Sequence, residues 1–157
     1  MNFPFPQSVV NPALGSDLAG TNDLTAQMAE SSGRRCLAEA LVRRVLTPRG
    51  QLLDDPDYGE DLLAWLNDDV DANSIRRLAS VLDAEWLKDE RVIAADVVVQ
   101  FVGESQVAAA RSGIVTNPNP GMLGVLVISA TITDGTGPFL LVISASAAGV
   151  ALLEVTP

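Results

Sequence analysis

Histidine is absent from this chain of 157 residues, and cysteine, lysine and tyrosine occur once each, as Cys36, Lys88 and Tyr58. Cys/His zinc sites and histidine-based catalytic triads are therefore excluded, and no intramolecular disulfide can form. Such cysteine usage suits synthesis in the cytosol. Aromatic residues make up only 4% of the chain, so aliphatic side chains must build the core. The opening Met-Asn-Phe-Pro-Phe-Pro lacks the basic start and continuous apolar run of a signal peptide. Residues 135–153 carry no charge, but Gly135, Gly137, Pro138, Ser144, Ser146 and Gly149 interrupt them. A spanning helix needs about 20 predominantly apolar residues with basic flanks, so this run reads as paired strands and no membrane association is expected.

Cations are scarce as well. The net charge is −10, distributed as −3 over residues 1–30, +4 over 31–50, −9 over 51–90 and −2 over 91–157. Phosphate binding needs clustered Lys and Arg, so a nucleic-acid partner is not expected. Arg34, Arg35, Arg43, Arg44 and Arg49 form the one cationic cluster. They read either as a solvated helix face or as a contact for an acidic protein. The chain is 48% hydrophobic with 19% charged residues, a composition that folds.

Residues 1–30, rich in Pro, Gly, Ser, Asn and Asp, read as an extended N-terminal arm, and residues 31–157 as a single domain. Leu37, Leu41 and Val45 recur at helical spacing, and Pro48 and Gly50 stop that helix near Leu46. Thr47-Pro48-Arg49-Gly50 is a first turn, Gln51–Leu53 a short extended piece suited to a sheet edge, and Asp54-Asp55-Pro56-Asp57-Tyr58-Gly59 a second turn. Gly59 is expected to supply a positive φ or a close backbone approach. A short helix runs through Leu62, Leu63 and Leu66. A longer one, with Ile75, Leu78, Leu82 and Trp86 on its buried face, runs from about Ala72 to Lys88, capped by Asp71 or Asn73. The period then changes to two: Ile93, Ala95, Val97, Val99 and Phe101 alternate with Asp96 and Gln100, and Leu126, Ile128, Ala130 and Ile132 with Ser129, Thr131 and Thr133. Residues 103–123 form the connection. Two apolar runs follow, Phe139–Ser144 and Val150–Val155. The expected fold class is α+β, helices followed by a small antiparallel sheet whose terminal strands are available to complete the sheet of a neighbouring subunit.

Candidate chemistry is thin. Glu60, Asp61, Glu85 and Glu90 could supply the paired carboxyls of glycoside hydrolysis. With 20 acidic residues such pairs arise by chance. Asp54, Asp55 and Asp57 lack the calcium-loop pattern with its closing Glu. No catalytic set, cofactor or metal site is assigned.

Leu46-Thr47-Pro48-Arg49-Gly50, followed by Asp55-Pro56-Asp57-Tyr58-Gly59 with Asp61-Leu62, resembles the baseplate wedge and sheath-initiator family of contractile-tailed phages, a family also labelled lysozyme-like. The resemblance covers about residues 31–102. Asp89-Glu90-Arg91 stands where that family has Glu-Pro-Arg, keeping the arginine and one acid and losing the proline. It implies a structural, non-enzymatic virion protein, made in the host cytoplasm and present in six copies around the tail axis. Its implied partners are baseplate wedge proteins, the tail sheath protein and the tail tube. Asp89, Glu90 and Arg91 would bind the wedge, and Leu140, Val142, Leu152 and Val155, on the last strands, would meet the first sheath ring. The signature turns are Thr47, Pro48, Arg49, Gly50, Pro56, Asp57, Tyr58 and Gly59. A lysozyme-like hydrolase acting on peptidoglycan is the alternative. Deletion of residues 138–157 is expected to leave the helical part folded while abolishing sheath attachment.

Overall fold

The computed structural model describes residues 14–20, 28–66, 71–103, 124–146 and 149–156. Two short strands, β1 (Ser16–Leu18) and β2 (Glu30–Ser32), come first and pair antiparallel. Helices α1 (Gly33–Leu46), α2 (Leu62–Leu66) and α3 (Ala72–Trp86) follow. The strands β3 (Ala94–Gly103), β4 (Gly124–Asp134), β5 (Gly137–Ser146) and β6 (Gly149–Thr156) then form an antiparallel meander in sequence order.

Each element forms where local chemistry permits. α1 ends at Thr47, whose extended backbone (φ −93°, ψ 113°) is the conformation that Pro48 imposes on its predecessor. Arg43 and Arg44 in its last turn oppose the negative end of the helix dipole. At the start of α3 the Asp71 carboxylate accepts the Asn73 and Ser74 amides at 2.9 and 2.6 Å, and the Ser74 side chain closes a capping box. In the sheet, strict alternation sends Leu126, Ile128, Ala130 and Ile132 of β4 and Phe139, Leu141, Ile143 and Ala145 of β5 to one face, all buried. Against that face pack Leu37, Leu41 and Val45 of α1 and Leu78, Leu82 and Trp86 of α3. The Trp86 indole N–H donates to the Leu41 carbonyl at 3.2 Å, satisfying the one polar atom of the largest core side chain. Arg34, at the start of α1, reaches the β4–β5 turn, where it pairs with buried Asp134 at 3.1 Å and lies 5.4 Å from the Phe139 ring centre.

The expected fold class requires correction. Helices followed by a small sheet does not describe this molecule: a two-stranded sheet precedes the helices, the later sheet has four long strands, and strands outweigh helices. β1 and β2 escape a pattern search because three-residue polar strands show no alternation. The later sheet is large because the uncharged run holds most of two long strands. The terminal strands are also not equally available. β5 is hydrogen-bonded to β4 on one side and β6 on the other, so its backbone, with Leu140 and Val142, offers no free edge. β6 pairs on one side only among the described residues.

Smaller differences follow the same logic. Gln51–Leu53 joins no strand and is exposed. Ile93 precedes β3 and is 66% exposed rather than sharing its inner face. Within the span read as an arm, Leu14 is buried in the core and the Gly33 amide donates to the Gly15 carbonyl at 3.2 Å. The rest of that span, residues 1–13 and 21–27, lies outside the described residues, as do 67–70 and nearly all of the 103–123 connection.

The shared core argues against a helical part that folds by itself. β5 supplies four fully buried apolar side chains to the core shared with α1 and α3, each worth about 1.5–3 kcal/mol for the larger ones. Deleting residues 138–157 is expected to abolish the cooperative urea transition of the whole chain; a retained sigmoidal transition with native-like helical circular dichroism would contradict this.

Candidate functional site

Glu85 sits in the last turn of α3 on the apolar stripe, three residues after Leu82, and is 1% exposed. A carboxylate buried there must be paired, because the effective penalty for burying an ion is several kcal/mol. Four donors converge on it from four places. Arg44 of α1 reaches Oε1 at 3.0 Å and the Gly59 amide reaches the same oxygen at 2.8 Å. Arg49 from the first turn and Lys88 beyond α3 reach Oε2 at 3.1 and 2.9 Å. Burial alone would raise this carboxyl, but hydrogen bonds from Lys88, Gly59 and Arg44 outweigh it and hold the group below the usual carboxylate range.

The two signature turns close around this anion. Arg49 also pairs with Asp57 at 2.8 Å and Glu60 at 3.2 Å, and Lys88 shares Asp57 at 3.3 Å. Hydrogen bonds from Lys88 and then Arg49 keep the Asp57 carboxyl low. Glu60 also accepts the Trp65 indole N–H at 3.1 Å, tying the second turn to α2. The Tyr58 ring lies under the Arg44 guanidinium, 4.2 Å from its centre. Gly59 meets both expectations: its φ is +96°, and a Cβ there would fall 2.1 Å from the Thr47 carbonyl oxygen. Only glycine lets the two turns touch.

Asp89, Glu90 and Arg91 follow directly after Lys88. Arg91 grips the Asp89 carboxylate through Nε at 2.8 Å and Nη2 at 2.7 Å, while its Nη1 donates to the Leu14 carbonyl at 3.2 Å. Burial would raise the Asp89 carboxyl, but the Arg91 hydrogen bonds hold it low, and Asp89 in turn raises Arg91. Glu90 is exposed. Leu14, Gly15, Arg44, Lys88, Asp89, Glu90 and Arg91 line an open cleft of about 510 Å³.

The structure thus brings the eight signature-turn residues together and continues them into Asp89–Arg91. It does not bring the four strand residues there. Leu140 and Val142 face away from the core on β5, whereas Leu152 and Val155 of β6 pack against the core edge. Sequence reasoning missed Glu85 as the centre and Lys88 as its partner. The available signal was an acid on an apolar helical stripe, after Leu78 and Leu82, with a lysine three residues on. The cationic cluster resolves as well: Arg34, Arg35, Arg43, Arg44 and Arg49 each pair with a carboxylate of this chain.

Among the described residues no group of three or more His, Cys, Asp or Glu side chains could hold a metal ion, and no helix is long and apolar enough to cross a membrane. No family model, curated protein or solved structure matches the chain.

Glu85→Ala strands Arg44 without its buried partner and is expected to lower stability by about 3–5 kcal/mol in urea titrations at neutral pH. Because the Glu85 and Asp89 carboxyls lie below their unfolded values, their contribution is present above about pH 4 and is lost as the pH falls through the folded values. The wild type should therefore lose stability on acidification more steeply than Glu85→Ala; parallel pH profiles would contradict the assignment.

Proposed function

We propose that this chain is a structural assembly protein of a contractile-tail baseplate in a phage virion, joining the wedge and initiating sheath polymerisation by adding a strand to the first sheath ring. The observation that carries the reading is how the resemblance-bearing turns are used. Thr47–Gly50 and Pro56–Gly59 are held against one another by Glu85, and their charged side chains bond within the chain. Residues used in this way build a rigid scaffold. The side of β6 that pairs with no described strand supports strand addition, since a sheet edge offers a row of backbone donors and acceptors to an incoming strand. In this reading Arg91 and its neighbours meet baseplate wedge proteins, the tail sheath protein meets β6, and six copies surround the tail tube.

Within the hydrolase alternative, Glu85 does not suit the role of the acid. A glycosidase acid needs a carboxyl held above its ordinary value so that it keeps its proton. Glu85, the buried acid of the clasp, is displaced in the opposite direction.

Two measurements test the proposal. The purified chain should release no soluble fragments from peptidoglycan, and should seed polymerisation of the sheath protein; cleavage that disappears with Glu60→Gln or Glu90→Gln would replace assembly by hydrolysis. Leu153, 58% exposed beside the β-bulge of β6, is a place to block the edge without touching the core. Leu153→Lys should reduce sheath seeding by about tenfold or more with an unchanged thermal midpoint, because an edge lysine opposes strand pairing.

A further inference from the structure

Gly15 and Gly33 bracket the β1–β2 pair, one residue before β1 and one after β2, and each holds a left-handed backbone, with φ of +78° and +63°. Neither is glycine for want of room, because a Cβ at either position would meet nothing within 4 Å. The two lie side by side, since the Gly33 amide donates to the Gly15 carbonyl at 3.2 Å. Paired glycines at the root of one small sheet, with open space around both, are built to absorb a change of φ. The root itself is fixed. Leu14 is buried in the core and its carbonyl accepts Arg91 Nη1 at 3.2 Å, while Gly33 opens α1.

Beyond the root the pair is held lightly. Asp17 and Arg43 bond at 2.9 Å, but both side chains are half-exposed, and ion pairs of that kind contribute little. The Gly20 amide reaches the Glu39 carboxylate only at 3.4 Å. Ser31 is 2% exposed, and its hydroxyl bonds no group among the described residues, a cost that opening to water would relieve. Met28, next to β2, holds a φ of +49°, which disfavours any residue with a side chain. Below lies one face of α1, with Cys36, Glu39 and Arg43 at successive turns, the first two buried. Burial pushes the Cys36 thiol up, Arg91 opposes this, and the Asp17 carboxylate of β1 is near enough to add to it.

We propose that the β1–β2 pair is a hinged flap, which swings about Gly15 and Gly33 while the core stays folded and uncovers the face of α1 that carries Cys36 and Glu39. Leu14, seated in the core and gripped by Arg91, is the root that stays in place. The opening is local, so it exposes far less surface than unfolding of the chain and proceeds at a lower free energy.

Cys36 is the chain's one thiol, so the rate at which a thiol reagent labels the full-length protein reads the opening directly. Labelling is measured at urea concentrations below the unfolding transition, for the wild type, Gly15→Ala and Ile132→Val. The wild-type rate should be nearly independent of urea, because a small opening exposes little surface. Gly15→Ala should label about five- to thirtyfold faster, since alanine disfavours the left-handed φ that only the closed flap requires. Ile132→Val, in the buried face of β4, should lower the urea midpoint and leave the labelling rate unchanged. A rate that climbs with urea as steeply as global unfolding, or that Ile132→Val accelerates in step with its loss of stability, means that Cys36 is reached only when the whole chain unfolds, and overturns the flap. Equal labelling of Gly15→Ala and wild type overturns the hinge and the proposal with it.

Discussion

The buried carboxylate of Glu85 is the constraint on which the helical half depends. Once α3 places an anion on its apolar stripe, the end of α1, both turns and Lys88 must arrange their donors around it. Arg44, Arg49 and Lys88 face Glu85, Asp57 and Glu60 in one connected, charge-balanced set. This accounts for an oddity of the linear sequence, in which a cationic block is followed at once by a strongly acidic one. Arg44 and Arg49 of the first block meet Asp57, Glu60 and Glu85 of the second across the clasp. The arrangement is costly to build, because Glu85 and Arg44 are buried, and costly to break, because removing either strands the other. Such a set favours one relative placement of α1 and α3.

The sequence made the periodic elements readable and hid the aperiodic ones. α1, α3, β3, β4 and the two final strands stand close to where spacing put them, since each carries a clean helical or alternating stripe. Gly59 was readable from its neighbours, because a turn between helices demands either an unusual φ or a close approach, and here it demands both. The pairing of β1 with β2 was not readable: Ser16–Leu18 and Glu30–Ser32 are too short and too polar to show a period. Gln51–Leu53 misled for the opposite reason. Its apolar pair imitates an edge strand, yet the Arg49–Asp57 closure turns it into a loop. Glu85 was visible only as one acid among 20, and its place on the stripe was the clue that set it apart.

The two halves of the molecule are built on different principles but share one core. The clasp is fixed by ionic geometry, the sheet by alternation and backbone ladders. Trp86 joins them, packing its ring among the core side chains while its indole N–H holds the Leu41 carbonyl of α1. Arg34 makes a second tie from the start of α1 to Asp134 at the β4–β5 turn. The sheet and the clasp are therefore tied together through packed side chains.

Where binding energy can come from follows from how the polar groups are used. The five arginines of the cationic cluster are paired within the chain, and exposed ion pairs of this kind contribute about 0–1 kcal/mol each. The exposed pairs are cheap to exchange, whereas releasing Arg44 would strand buried Glu85. Among the described residues two resources are not committed in this way: the backbone on the outer side of β6, and apolar side chains left exposed, Leu53 above all. Both gain on burial without surrendering an existing contact. In the proposed assembly reading, the strand edge and the exposed apolar side chains are where a neighbouring protein would be held.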